Sequence, residues 1–196
     1  MFEVEIKVRI EDPEKMKRNF EESNIKYICS LRHEDSYFNM PEGLRNFKES
    51  DEALRIRQSL EYDKTNDKSI QKEQSYLTYK GAKIDVMTKT RREIEIKIGN
   101  AHDMLEILNI LGFKRVLNVI KERELYETKF NGEEVEILID YLPDLDQYYM
   151  EVEVIIESKR KLEPIRRKLF TFLKQFGISE SDSIRKSYLE LLLEAK

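Results

Sequence analysis

In the opening sequence MFEVEIKVRI, residues 2–10 alternate strictly between apolar and charged side chains. Successive side chains of a β-strand point to opposite faces, so this alternation predicts a strand with one ionic and one apolar face. The ionic face carries Glu3, Glu5, Lys7 and Arg9. A chain built in this way folds as a sheet whose ionic side meets either water or a charged ligand.

The same period of two recurs along the chain and predicts about eight strands. We predict strands at 2–10, 34–39, 53–59, 75–81, 91–98, 118–127, 134–141 and 148–156. Strands that follow one another closely favour antiparallel pairing, and this number suggests a closed barrel. The polar connector 61–73, EYDKTNDKSIQKE, contains no Gly or Pro and is predicted to extend a hairpin.

Helical periodicity appears in four other segments, which we expect to pack outside the barrel. They are EDPEKMKRNFEES, HDMLEILNILGF, LEPIRRKLFTFLKQFG and SDSIRKSYLELLLEAK. Asp12 is the predicted N-cap of the first helix, with Pro13 at its first position. Ser181 or Ser183 is the predicted N-cap of the last helix. The predicted fold class is α+β, and we expect a single domain over 1–196.

Composition bears on which partners the ionic face can have. The 196 residues include 35 Lys and Arg against 39 Asp and Glu, a formal net charge of −4. This balance argues against general binding of nucleic acid or anionic membranes. No apolar run approaches the roughly 20 residues of a membrane span, no secretory signal opens the sequence, and Cys29 is the single cysteine. We expect a cytoplasmic protein, either a monomer or a homodimer.

The charges of the predicted strands are sorted by sign. Two strands carry cationic doublets and two carry anionic ones: Arg55/Arg57, Lys121/Arg123, Glu3/Glu5 and Glu151/Glu153. A solvated sheet face explains any one doublet, but solvated strands usually mix signs because neighbouring like charges repel. Segregated clusters are expected where a ligand supplies the missing charge.

The two kinds of cluster suit the two parts of one ligand. Carboxylate oxygens bind hard divalent cations such as Mg²⁺ and Mn²⁺. Arg and Lys clusters bind phosphate oxygens, Arg often with two hydrogen bonds. A metal-chelated polyphosphate needs both. The residue pattern alone leaves this interpretation and a solvated face about equally open.

A series of short motifs spans nearly the whole chain. They are EVEIK (3–7), EDSYFN (34–39), ALRIR (53–57), YLTYKGAK (76–83), TRREIE (90–95), IKER (120–123), ILID (137–140), YMEVE (149–153) and RKSYLELL (185–192). In this order they resemble the motifs of the CYTH superfamily, the triphosphate tunnel metalloenzymes, whose signature is ExExK. The residues of these motifs are most similar to those of the class IV adenylyl cyclase branch. One departure is Asp146, which stands where the family commonly has glycine.

The resemblance implies an eight-stranded antiparallel β-barrel with a charged tunnel inside and helices outside. It implies that Mg²⁺ or Mn²⁺ is bound by the acids Glu3, Glu5, Asp140, Glu151 and Glu153. It implies that a triphosphate is bound by the cations Lys7, Arg9, Arg55, Arg57, Lys80, Arg91, Lys121, Arg123 and Lys186. Among these cations, the expected catalytic residues are Lys7, Arg57, Lys80, Lys121 and Arg123. Glu93 and Glu95 would hold cations in place or help with a second metal.

The resemblance also implies an enzyme that acts on a small triphosphate. The favoured reaction is the conversion of ATP to cyclic AMP and pyrophosphate, in which the ribose 3′-hydroxyl attacks the α-phosphorus. The alternative is hydrolysis of tripolyphosphate, thiamine triphosphate or a nucleoside triphosphate, in which water attacks the terminal phosphorus. The tunnel charges would be nearly the same in both enzymes.

Two further functions remain open from the sequence. A non-catalytic sensor could bind nucleotides or polyphosphate, although a pure anion binder gains nothing from carboxylates beside its ligand. The basic segment KRKLEPIRRK (159–168) suggests RNA binding as a hypothesis, but on a helix such a segment is more typical of a solvated face. We therefore expect no nucleic-acid partner.

Overall fold

The computed structural model describes residues 2–62 and 69–196, and within them eight strands form a closed antiparallel barrel. The strands are β1 Phe2–Ile10, β2 Lys26–Asn39, β3 Ala53–Tyr62, β4 Ile70–Lys83, β5 Arg91–Ile98, β6 Lys114–Phe130, β7 Glu133–Leu142 and β8 Gln147–Ile156. Their order around the barrel is β1-β5-β4-β3-β2-β6-β7-β8. The predicted α+β fold and the antiparallel barrel are confirmed.

The helices lie outside this barrel, as predicted. They are α1 Pro13–Glu22, α2 Ala101–Ile110, α3 Leu162–Lys174 and α4 Tyr188–Glu194. Helix α3 packs on β1 and β8, α2 on β3, and α4 on β6. The start of α1 matches its prediction, since the Asp12 side chain accepts a hydrogen bond from the Lys15 backbone N–H at 2.9 Å. In the described part of the chain, none of the helices has the length and apolarity to cross a bilayer.

The apolar core lies between the barrel wall and the helices. Val4 and Ile6, two outward side chains of β1, are fully buried. They belong to one cluster with Phe20 of α1 and Leu173 of α3. Burial of this outer face removes the apolar half of the alternating pattern from water, so the ionic half must point into the barrel. The barrel is therefore apolar outside and charged inside.

Strand bounds agree with the prediction where alternation is strict. Strands β1 and β5 have the predicted bounds, whereas β2 begins at Lys26 instead of 34. The segment 26–33 does not alternate cleanly, and its pairing with β6 shifts register between Tyr27 and Cys29. In the predicted hairpin extension, Glu61 pairs with Lys72. Residues 63–68 of that connector lie outside the described residues.

The last helix begins later than predicted. Ser187 is its N-cap, with Glu190 completing a capping box, so neither Ser181 nor Ser183 has that role. The preceding residues are instead bonded to the barrel: the Ile184 backbone N–H donates to the Lys7 carbonyl at 2.7 Å. This segment therefore crosses one end of the barrel before the helix starts.

The departure at Asp146 has a backbone explanation. Asp146 has φ 50°, in the left-handed region that glycine adopts without cost. Asp tolerates this region better than most other residues, so the tight turn into β8 forms without glycine.

Candidate active site

The inward faces of the strands enclose a cavity of about 660 Å³. It extends from Glu136 of β7 to Glu190 and Glu194 of α4. The basic side chains that line it are Lys48, Arg55, Arg57, Lys80, Lys89, Arg91, Lys121 and Arg123. Most of the predicted triphosphate-binding cations thus come together in one cavity.

Two of these cations are held by a single carboxylate on β2. Arg57 donates from Nε and Nη2 to the two oxygens of Asp35, at 2.7 and 2.8 Å, and Arg55 Nη1 donates to Oδ2 at 3.4 Å. Burial raises the pKa of Asp35, but the charges of Arg57 and Arg55 outweigh burial and hold this pKa well below its usual range. Asp35 therefore stays ionised and orients both guanidinium groups.

The cations of β6 are held by Asp140 of β7. Arg123 donates to both oxygens of this fully buried carboxylate at 2.6 Å each, and Lys121 Nζ donates at 3.3 Å. Burial raises the pKa of Asp140, but Arg123 and Lys121 together lower it below its ordinary value. Asp140 was a predicted metal ligand, but its oxygens are occupied by these cations.

Glu151 of β8 is surrounded by cations in a similar way. It accepts hydrogen bonds from Arg123 at 2.5 Å and from Lys89 at 3.0 Å, and Lys7 lies 3.5 Å away. Burial opposes ionisation, but Lys89 and Lys7 lead the charges that lower the pKa of Glu151 well below its usual range. Glu151 therefore neutralises cations in the structure.

The other three predicted metal ligands form a separate group, which we term the acid cluster: Glu3, Glu5 and Glu153. One carboxylate oxygen from each lies within 4.8 Å of the others. Glu5 and Glu153 are directly opposite each other in the β1–β8 pair. Burial, followed by the charges of Glu5 and Glu151, raises the pKa of Glu153 to about 8. Burial likewise raises the pKa of Glu3 well above its usual value, although Lys80 opposes the effect.

Lys80 and Arg91 lie beside this cluster. Lys80 Nζ is 2.6 Å from Glu93 and 3.9 Å from Glu3, while Arg91 is 3.9 Å from Asp51. Burial lowers the pKa of Lys80, but the charges of Glu3 and Glu93 outweigh it and raise the value overall. Glu93 thus holds a cation, as the sequence suggested, and Glu95 does the same for Arg55 at 3.3 Å.

Three predicted triphosphate-binding residues do not line the cavity. Lys7 is fully buried beside it, where Nζ donates to the Lys186 carbonyl at 2.9 Å. Burial, followed by the charge of Lys89, lowers the pKa of Lys7 to about 7. Arg9 is exposed, because the segment before α4 crosses the barrel at Lys7 and Arg9 lies beyond that crossing. Lys186 is also exposed, and its ammonium pairs with Glu194 at 2.6 Å.

Comparison with known proteins identifies the family of this chain. The CYTH domain family matches residues 1–188. The chain belongs to the CYTH family. It is 39% identical over 191 residues to a Methanocaldococcus jannaschii protein named "Putative adenylate cyclase MJ0240", covering 97% of this chain and 98% of that protein.

Two solved structures illustrate the similarity of fold. The PH1819 protein from Pyrococcus horikoshii has a TM-score of 0.84 and 35% identity, with 99% of each chain covered. A Hippeastrum protein, described as an adenylyl cyclase candidate with a dominant triphosphatase activity, has a TM-score of 0.62 and 16% identity, covering 99% of this chain and 96% of that one. At that identity the Hippeastrum protein shows similarity of fold alone.

The acid cluster of this CYTH protein has the donor chemistry of a Mg²⁺ or Mn²⁺ site. Its three carboxylates are close enough for oxygens of all three to reach one ion. The raised pKa values of Glu3 and Glu153 show that nearby cations do not fully compensate their charge. A divalent ion would supply that compensation. The pKa values of Asp140 and Glu151 are lowered instead, because Arg and Lys side chains already neutralise these two carboxylates.

Sequence reasoning missed three residues of the CYTH tunnel. Asp35 stands in the EDSYFN motif and had no predicted role, although it lies directly opposite Arg57 in the β2–β3 pair and so shares the inward face. Lys89 lies in the loop after β4, where no alternation exists, and its ammonium contacts Glu5 and Glu151. Only the tertiary structure could identify it.

Tyr188 is the third missed residue and enters the tunnel from α4. Its hydroxyl donates to Asp140 at 2.8 Å. Three ammonium groups surround its ring, at 3.6 Å for Lys7, 4.9 Å for Lys121 and 5.8 Å for Lys89. The negative face of an aromatic ring attracts cations, so Tyr188 helps keep these lysines together. Its sequence signal was membership of the RKSYLELL motif, which drew attention only to Lys186.

Proposed function

We propose that this CYTH protein binds the triphosphate of ATP in the tunnel, together with Mg²⁺ or Mn²⁺, and converts ATP to cyclic AMP and pyrophosphate. The observation that carries the proposal is the joint lining of one cavity. Oriented cations, including Arg57 and Arg123, face the same space as the acid cluster. A simple anion binder would need only the cations, and a structural ion-pair network would not need a cavity that both sets line.

The arginines would supply positioning and charge stabilisation. Phosphoryl and nucleotidyl transfer depend mainly on fixed positive charge around the reacting phosphorus. Asp35 already orients Arg57, and Asp140 already orients Arg123, so little reorganisation is needed when a triphosphate binds. A metal bound by Glu3, Glu5 and Glu153 would neutralise further charge on the phosphate oxygens.

A nucleotide is favoured over inorganic tripolyphosphate by the cavity's apolar side chains. Phe47, Leu189 and Leu193 line the same cavity as the cations. Tripolyphosphate has no part that could use them, whereas a nucleoside has. In the proposed reaction the 3′-oxygen bonds to the α-phosphorus, the bond from that phosphorus to the bridging oxygen breaks, the hydroxyl proton is released, and pyrophosphate leaves. The name of the 39% identical relative supports the same choice.

Hydrolysis is the second candidate, since water could replace the ribose hydroxyl as nucleophile. The Hippeastrum protein combines this fold with a dominant triphosphatase activity. In that reaction water would bond to the terminal phosphorus and the bond from that phosphorus to its bridging oxygen would break. Orthophosphate would form, and ADP, or pyrophosphate in the case of tripolyphosphate, would leave. The experiment below distinguishes the two reactions.

The test is product analysis after incubation with ATP or tripolyphosphate and either Mg²⁺ or Mn²⁺. We expect cyclic AMP and pyrophosphate from ATP. If the products are ADP and orthophosphate from ATP, or orthophosphate from tripolyphosphate, the protein is a triphosphatase and not a cyclase. Absence of turnover with every substrate and metal would overturn the enzyme proposal and leave a binding protein.

A matched pair of variants links activity to the cavity. Arg57→Gln removes an oriented guanidinium from the lining, and we expect kcat/KM to fall by about 100-fold or more. Arg9→Gln changes an exposed arginine outside the lining and should leave kcat/KM within about twofold. Circular dichroism checks that both variants fold. Equal effects of the two substitutions would contradict the assigned site.

A further inference from the structure

Strand β5 is less covered than its place in a closed barrel would suggest. Its residues 94–97 are exposed on both faces of the strand. Ile94 and Ile96 point outward, with 46% and 53% of their surfaces exposed. Helix α2 packs against the neighbouring outer face, where Ile98 is partly buried, but leaves these two isoleucines open.

One edge of β5 also lacks a neighbour. On one side it pairs with β4 as far as Ile98. On the other side its pairs with β1 are Phe2↔Arg92 and Glu3↔Arg91. Within residues 2–62 and 69–196, the stretch 93–98 has no strand partner on that side. An open edge with apolar side chains is a ready template for another strand.

The sequence of this edge is complementary to itself. In an antiparallel pair centred on Ile96, Ile96 faces Ile96 of a second copy and Ile94 faces Ile98. On the inner face, Glu95 then faces Lys97 of the second copy. Opposite charges and β-branched pairs at directly opposite positions stabilise strand pairing. This register therefore gives an apolar outer seam and two ion pairs inside.

Neighbouring registers are worse for identifiable reasons. Centring the pair on Glu95 or on Lys97 places two like charges directly opposite each other. Moving the centre by half a residue joins the outer face of one copy to the inner face of the other. Among these registers, the one centred on Ile96 avoids both faults.

The charged groups that this register needs are accessible. Lys97 is exposed and has no ion pair among the described residues. Glu95 uses Oε2 for Arg55 and Thr78, which leaves Oε1 for a partner. Glu95 also lines the cavity, so the seam and the candidate active site would share one residue.

We propose that two copies of this chain associate through β5, with their strands antiparallel about a two-fold axis at Ile96. The sheets of the two barrels become continuous across the seam. This proposal rests on the strand edge alone and stands whether or not the chain is a cyclase.

The first test is oligomeric state, measured by sedimentation velocity and light scattering over about 1–100 µM protein. We expect a dimer for the unmodified chain. Ile96→Lys places two ammonium groups together at the two-fold axis and should weaken the dimer by at least about tenfold. Ile110→Lys on α2 is the matched control, because Ile110 is 75% exposed and lies off the edge. A monomeric unmodified chain, or an unchanged dimer in Ile96→Lys, would overturn the proposal.

The second test is the register. In a Cys29→Ser background, Ile96→Cys places two thiols directly opposite each other, where the backbone spacing suits a disulfide. Ile94→Cys places its thiol opposite Ile98 of the second copy, far from the thiol at position 94 of that copy. We expect a mild oxidant to cross-link the first variant and not the second, as read on non-reducing gels. Efficient cross-linking at 94, or none at 96, would exclude this register.

Discussion

Two groups of carboxylates in this tunnel have pKa values that are shifted in opposite directions. The acid cluster of Glu3, Glu5 and Glu153 contains groups with raised pKa values, and one oxygen from each carboxylate lies within 4.8 Å of the others. Asp140 and Glu151, which we term the paired acids, have lowered pKa values. Burial opposes ionisation in both groups, so burial cannot explain the difference.

The difference comes from the cations that the barrel places around each group. The paired acids contact Arg123 and neighbouring lysines, which more than offset the cost of burying their charge. In the acid cluster, carboxylates face one another across β1 and β8. The comparison teaches that a motif acid in such a tunnel can either hold cations in place or attract a metal. Which of these it does depends on its neighbours across the barrel.

The largest expected effect comes from removing one paired acid. Asp140→Asn leaves Arg123 and Lys121 buried with less compensating charge, so we expect the free energy of unfolding to fall by about 3–5 kcal/mol. Urea unfolding of the metal-free protein measures this change. A loss below about 1 kcal/mol would mean that the two groups of acids do not differ as described.

Glu153→Gln changes the acid cluster and should weaken metal binding without destabilising the fold. We expect affinity for Mn²⁺ to fall by about 10- to 100-fold, measured by calorimetric titration, because a ligand is lost. The folded state holds the Glu153 proton up to about pH 8, whereas the unfolded state loses it near its ordinary pKa. The free energy of unfolding therefore falls as pH rises between those two pKa values, and Glu153→Gln removes this contribution.

The control for this variant is the stability of the metal-free protein at pH 8. We expect Glu153→Gln to be at least as stable as the unmodified chain there, by about 1 kcal/mol or more if the raised pKa is fully expressed. A strong loss of stability would place Glu153 among the paired acids. Unchanged Mn²⁺ affinity would remove it from the metal site.

The smallest expected effect concerns Lys121, a cation held by a paired acid. Burial, followed by the charge of Arg123, lowers the pKa of Lys121 to about 8. Above that pH the ammonium loses its charge, so metal-free binding of tripolyphosphate should weaken by up to about tenfold per pH unit. Arg remains charged at these pH values, so Lys121→Arg should flatten the profile measured by calorimetry between pH 6.5 and 9.5. An identical profile in both proteins would assign the titration to another group.

Much of the barrel could be predicted because parity is a local property. The bounds of β1 and β5, and the separation of ionic and apolar side chains onto two faces, followed from alternation. The resemblance to the CYTH motifs implied that the ionic face, with Arg55 and Lys121, points inward, and the structure agrees. Arg9 shares that parity and still lies outside the tunnel, because the crossing segment at Lys7 ends the tunnel first. Parity indicates a side of the sheet and not a depth along it.

Local sequence therefore determined the alternation and favoured antiparallel pairing in a barrel, because both depend on neighbours in the chain. The direction in which the ionic side chains point was implied by the family motifs. The family motifs added the kind of site. Tertiary structure alone decided that Asp140 and Glu151 hold cations while Glu153 faces Glu5, and that Lys89 and Tyr188 enter the tunnel. The reason is that the pKa and role of a buried charge depend on groups brought close from distant parts of the chain.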